Sequence, residues 1–202
     1  MKQTKAQLRV AIAKDVVKQI KNKKYIGHTC FYATLNNLLT PIVDLDASLQ
    51  DLINKSKKNI KCEVCVLGAC FVSLIGLKNE ISVKDFVGKN NIYFYDTLST
   101  QQSVVYENLK NIFPPTMMTF IETAYAIIDM INPKDYKKYK KLSSKNRNYI
   151  FYYPYLQRAI RWGNQKKYNN NSVRILAIMK NIIKNKGQFI IPKKFHSLKE
   201  VN

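Results

Sequence analysis

Fourteen consecutive residues, Val64 to Leu77, carry no charged side chain, and this run constrains the fold more than any other part of the chain. A helix that crosses a bilayer needs roughly 20 such residues, so the run is expected in a protein core. At 100° per residue, Cys62, Cys65, Ala69, Ser73 and Gly76 fall within an arc of about 80° and make a seam of small side chains. Val64, Leu67, Phe71, Leu74 and Ile75 cover much of the remaining surface. The segment CEVCVLGACFVSLIGL is therefore expected to be a central helix, apolar nearly all round, along whose small seam another helix approaches closely.

Around it the apolar spacing predicts further helices. Leu8, Ile12, Val16 and Ile20 recur at intervals of four, with Arg9, Lys14, Lys18 and Lys21 assigned to other faces. Ser48 is a candidate cap for a short helix. A helix from Ser99 or Thr100 to Phe113 ends at Pro114, and Pro115 suits the first position of the next, whose apolar face is Met118, Ile121, Ala124, Tyr125 and Ile128. Asn171 or Ser172 caps a last helix bearing Ile175, Leu176, Ile178, Met179, Ile182 and Ile183, with Gly187 as its stop. FYATL is a candidate strand, and NIYFYDTL a strand or an aromatic loop. The expected architecture is a single domain over residues 1–202, mainly α and compact, with about four to six helices and at most minor β.

Charge comes next. Thirty-four Lys and Arg against thirteen Asp and Glu give +21, which exceeds an ordinary solubility bias and attracts polyanions. Nucleic acid, nucleotides and anionic membrane surfaces all answer to such a field, and AT-rich coding also enriches lysine. Lys and Arg interrupt every apolar stretch of the first residues, so no secretory signal is expected there. Four cysteines in a chain of this length fit reduced thiols in a cytoplasm better than a disulfide framework.

The charge is uneven. Lys134 to Tyr168 holds eleven Lys or Arg, one Asp and nine aromatic residues. Its first part is expected to be an exposed basic loop at about 133–148. In the second, Arg158 and Arg161 would project from neighbouring helical positions and grip one phosphate together, with Lys166 and Lys167 adding charge. Tyr153, Tyr155 and Trp162 are the candidates for stacking on a base.

Catalytic patterns are sparse. Cys62-x-x-Cys65 with His28-x-Cys30 upstream supplies weak zinc candidates, but cysteines on a small-residue helical seam read as packing. A zinc deaminase needs Glu where Cys30 stands and Pro where Lys61 stands. Glu122 falls at the edge of its helix's apolar arc and reads as solvated. Glycine-rich phosphate loops and nucleophile constellations are lacking. The residues thus favour binding over catalysis, with no metal and no cofactor, and with a nucleotide-acting enzyme as an alternative.

Four segments, VAIAKDVVKQIK, CEVCVLGACFVS, TFIETAY and RILAIMKNIIKNKGQF, appear in this order across most of the chain. Together they resemble an uncharacterised family of small proteins of bacteriophages and other mobile elements. The resemblance implies an accessory factor acting on the host, of the kind that includes anti-defence proteins. Such a protein would sequester a nucleotide immune signal in the host cytoplasm, or bind DNA or RNA, or inhibit a nucleic-acid-guided nuclease. The implied partners are an anionic nucleotide or nucleic acid and a host defence protein, with no membrane partner, in a protein able to form a homo-oligomer.

Overall fold

The computed structural model describes residues 3–28, 33–36, 61–78, 92–94, 104–126 and 154–195. Helix α1 (Lys5–Lys21) begins at a capping box, in which the Thr4 hydroxyl accepts the Gln7 amide and the Gln7 side chain accepts the Thr4 amide. Leu8, Ile12, Val16 and Ile20 point inward as the spacing predicts. Arg9 corrects the expectation: it is 6% exposed and lies on the buried face. At 100° per residue it falls between Ile12 and Ile20, so only its charge suggested an outward position.

Four short strands follow the chain: β1 (Tyr25–Gly27), β2 (Ala33–Asn36), β3 (Lys61–Val64) and β4 (Ile92–Phe94). They form one mixed sheet in the order β1-β3-β2-β4. β1 runs parallel to β3 with Tyr25 opposite Cys62, whereas β2 is antiparallel to both β3 and β4. FYATL and NIYFYDTL each contribute a strand to it.

The central apolar segment is half strand and half helix. Cys62 and Val64 are buried and Glu63 is less so, the alternation of a strand, and helix α2 (Val66–Lys78) starts only after Cys65. The Cys65 sulfur accepts the Gly68 amide at 3.3 Å and so stands in for a capping hydroxyl. This corrects the continuous small-residue seam, because Cys62 lies on β3 and Gly76 is exposed. What remains of the seam is Ala69 and Ser73, and the Ser73 hydroxyl meets the Tyr25 hydroxyl of β1 at 3.3 Å. The central position is as expected, since every residue from Val66 to Ile75 is buried.

Four more helices complete the described core: α3 (Val104–Lys110), α4 (Pro115–Ala126), α5 (Pro154–Gly163) and α6 (Asn171–Lys184). The protein is mainly α, and Pro115 opens α4 as its fixed φ favours. Asn170 rather than Asn171 or Ser172 caps α6, its side chain accepting the Val173 amide at 2.9 Å. Gly187, at φ +93°, ends the turn beyond it. α1 and α6 are antiparallel neighbours: Gly187 lies against Ala6 at one end, and Gly27 donates to the Ser172 hydroxyl at 2.9 Å at the other. The helix expected from Ser48 and the basic loop at 133–148 lie outside the described residues. Among the described residues no helix is long and apolar enough to cross a membrane.

Two arginines lock these helices together through backbone carbonyls. Arg9 donates from Nε to Gly187 O and from Nη1 to Ile112 O, both at 2.6 Å. Arg174, 2% exposed, donates from Nη1 to Tyr125 O at 2.6 Å and from Nη2 to Tyr168 O at 3.2 Å. Gly187 O, Ile112 O and Tyr125 O lie at or just beyond a helix C-terminus, the negative end of the peptide dipoles, whereas Tyr168 O belongs to the turn before α6.

α4 and α5 cross where Gly163 allows it, since a Cβ there would stand 2.0 Å from Ala124 O. Gly163→Ala must part the two helices and is expected to cost about 2–3 kcal/mol of stability, measurable as a lower denaturant midpoint with an unchanged slope.

Candidate anion-binding site

The most cationic described part of the molecule is the C-terminal unit from α5 to Phe195. Residues 154–195 contain no Asp or Glu. Their fold is set by Trp162, whose ring packs against Tyr168 at 5.0 Å and edge-on against Phe189 at 5.3 Å. Beyond Gly187 the chain is tied to α6 by Asn181, whose side chain donates to Ile190 O at 2.7 Å and accepts the Ile190 amide at 2.9 Å. It then reaches α5, where Arg161 donates to Phe195 O from Nε at 3.1 Å and from Nη2 at 2.6 Å. The 3-10 turn Lys193–Phe195 is thereby held on α5, with Lys193 and Lys194 exposed.

Arg158 lies one helical turn before Arg161. Its Nε is buried and has no hydrogen-bond partner. The two guanidinium groups sense each other: burial lowers the pKa of Arg161 first, and the charge of Arg158 lowers it further. Two like charges one turn apart, one with a donor left open, are costly in an empty protein and suited to an anion between them. Lys193 and Lys194, brought in by the Arg161 contact, add two exposed ammonium groups, that of Lys194 lying 5.2 Å from the centre of the Phe195 ring.

The structure sorts the residues expected from sequence. Arg158 and Arg161 share one edge of α5, as their spacing required. Lys166 and Lys167 are exposed but sit past the helix end, in a turn that Gln165 closes on Trp162 O at 2.8 Å. Trp162 is 4% exposed and belongs to the core, so the expectation that it stacks on a base is corrected. Its ring is packed against Tyr168 and Phe189. Tyr155 lies in the first turn of α5, and Tyr153 lies outside the described residues. Sequence reasoning missed Lys193 and Lys194, whose only signal was a Lys pair after Pro192.

Among the described residues the zinc candidates form no ligand cluster. Cys62 is on β3 and 5% exposed, Cys65 caps α2, and Cys30 lies outside the described residues. His28 follows β1, where its amide donates to Val64 O and its carbonyl accepts the Tyr125 hydroxyl. No group of three or more metal-ligating side chains is present among the described residues. Desolvation pushes the Cys62 thiol from 9.0 up to about 12, against the opposing charge of Lys24, and it raises Cys70 further. Both behave as compact apolar groups. Glu122, expected to be solvated, is partly buried.

One further cleft, of about 340 Å³, opens between α2 and α3 beside Leu74, Lys78, Glu107 and Asn111. Its Glu107 is paired with Lys110 on the same helix.

Compared with known proteins, the chain matches no family model, no curated protein and no solved structure.

The thiols supply a pH prediction. Their raised folded pKa means that the stability they contribute is complete below the ordinary 9.0 and is lost as pH rises toward about 12. Burial raises Tyr25 and Tyr125 in the same direction. Unfolding free energy is expected to hold up to pH 9 and fall steadily above it. Mass spectrometry after iodoacetamide treatment at neutral pH should find Cys62 and Cys70 unmodified until denaturant is added.

Proposed function

We propose that this is a non-catalytic binding protein that captures a phosphorylated ligand, a nucleotide signal foremost, at Arg158, Arg161, Lys193 and Lys194. The observation that carries the reading is the buried, unpartnered Nε of Arg158 beside a second guanidinium, in a segment free of carboxylates. A buried donor left open costs the free protein about 1–3 kcal/mol, and a phosphate oxygen would repay it with a charge-assisted bond. With Trp162 in the core, the phosphates rather than the base supply most of the recognition. The resemblance to phage and mobile-element proteins supports a role in sequestering such a signal from a host defence.

Capture without reaction is favoured because the cluster offers cations and no general base or nucleophile. Arg158→Met should therefore do two things at once. It is expected to raise the unfolding free energy by about 1 kcal/mol, by removing the unsatisfied donor, and to weaken nucleotide binding roughly 10- to 100-fold in equilibrium dialysis. Mass spectrometry of the ligand released by denaturation should return it intact. Recovery of a converted product would identify an enzyme instead, and unchanged affinity in Arg158→Met would remove this site from the reading.

A further inference from the structure

A second basic surface lies on other residues and stands independently of the proposed nucleotide site. The lysines of α1 and α6 leave the core in one direction. On α1 the buried positions Leu8, Ile12, Val16 and Ile20 centre on one side, and Lys14, Lys18 and Lys21 occupy the opposite side, all exposed. On α6 the buried Ile175, Ile178, Met179 and Ile182 are likewise opposed by the exposed Lys180 and Lys184. Because the two helices pack as antiparallel neighbours, these five ammonium groups share one outer face in two rows.

Within the two helices counter-charge is minimal. α6 contains no acidic residue, and α1 contains only Asp15, whose carboxylate accepts the Gln19 side-chain amide at 3.0 Å. Lysines near helix C-termini have an ordinary role in complementing the peptide dipole, which accounts for Lys18, Lys21 and Lys184. Lys14 and Lys180 lie before the last turn of their helices and have no such role.

We propose that the outer face of the α1–α6 pair docks on the sugar-phosphate backbones of double-stranded nucleic acid. Lys14, Lys18 and Lys21 span about 10 Å along α1 at 1.5 Å per residue, which is about three nucleotides of a strand rising 3.4 Å per step. The second row runs beside the first at a typical helix spacing of about 8–10 Å. Two rows at that separation can follow the two backbones flanking a minor groove about 6 Å wide, whereas a single strand can occupy only one row. The contacts are ammonium to phosphate, so the binding is sequence-independent.

The test is fluorescence anisotropy of a labelled 20-base-pair duplex, and of one of its strands, across a salt series. Neutralisation of about three to five phosphates predicts a slope of log affinity against log salt between about −3 and −4.5 for the duplex, with a shallower slope for the single strand. Reversing Lys14, Lys18, Lys180 and Lys184 to Glu is expected to weaken duplex binding at least 100-fold and to cut the slope by more than half. The control reverses Lys5, Lys110, Lys166 and Lys167, all exposed and outside this face, and changes net charge equally. It should cost no more than about tenfold, through the long-range field alone. Circular dichroism verifies that both variants fold.

Equal losses in the two quadruple variants would overturn the proposal, as would equal slopes for duplex and single strand. So would polyglutamate displacing the duplex at equal charge concentration, which would make the face a docking site for acidic protein. Arg158→Met separates the two surfaces: duplex affinity that survives this variant leaves the lysine face standing even if the nucleotide site fails.

Discussion

The burial of two arginines against backbone carbonyls is the constraint on which this fold depends. Arg9 and Arg174 sit at 6% and 2% exposure, and the acceptors that hold them are mainly backbone carbonyls. A guanidinium taken out of water needs an oriented partner, and a buried carboxylate would itself have to be desolvated. Carbonyls at helix ends are already oriented and already lack intrahelical donors. One side chain can therefore tie two segments together: Arg9 joins the chain beyond α3 to the chain beyond α6, and Arg174 joins the end of α4 to the turn before α6. Burial lowers the pKa of Arg9, yet a guanidinium remains charged at neutral pH, so the two links persist.

This arrangement divides the positive charge of the described residues into two populations. The inward one consists of arginines with planar, multi-donor heads that can address two carbonyls at once. The outward one consists mostly of lysines, whose compact ammonium groups stay hydrated while their stems cover apolar surface. Between the two lies the pair on α5. Arg161 is committed to Phe195 O, and Arg158 has a donor with no commitment. Repulsion between these neighbours raises the free energy of the empty site, which supports the proposal that a phosphate binds there.

Much of the helical frame was legible because apolar spacing reports directly on burial. The core positions of α1, the proline start of α4 and the glycine after α6 are all carried by local rules. Three features were not. The switch from β3 to α2 falls within a uniformly apolar stretch, where four residues of alternation in KCEV are too few to outweigh the helical pattern that follows. Arg9 occupies the inner arc of α1, but a charged side chain is normally taken as solvent-facing, and only the carbonyls of Gly187 and Ile112, distant in sequence, explain its place. Trp162 and the Lys193–Lys194 pair illustrate the same limit at the candidate site. Aromatic residues in a basic block read equally as stacking groups or as core, and the return of the tail onto α5 depends on a contact between residues 34 apart.

The claim that backbone carbonyls hold the buried arginines can be measured through Arg174. Lysine keeps the charge and part of the volume, but as a single ammonium it cannot reproduce the planar fork that reaches both Tyr125 O and Tyr168 O. Unfolding free energies of Arg174→Lys and Arg174→Met, determined in parallel in low and high salt, separate geometry from charge. Both substitutions are expected to destabilise the protein by about 2–3 kcal/mol, with little dependence on salt. Full stability in Arg174→Lys, or a loss that high salt abolishes, would contradict the account.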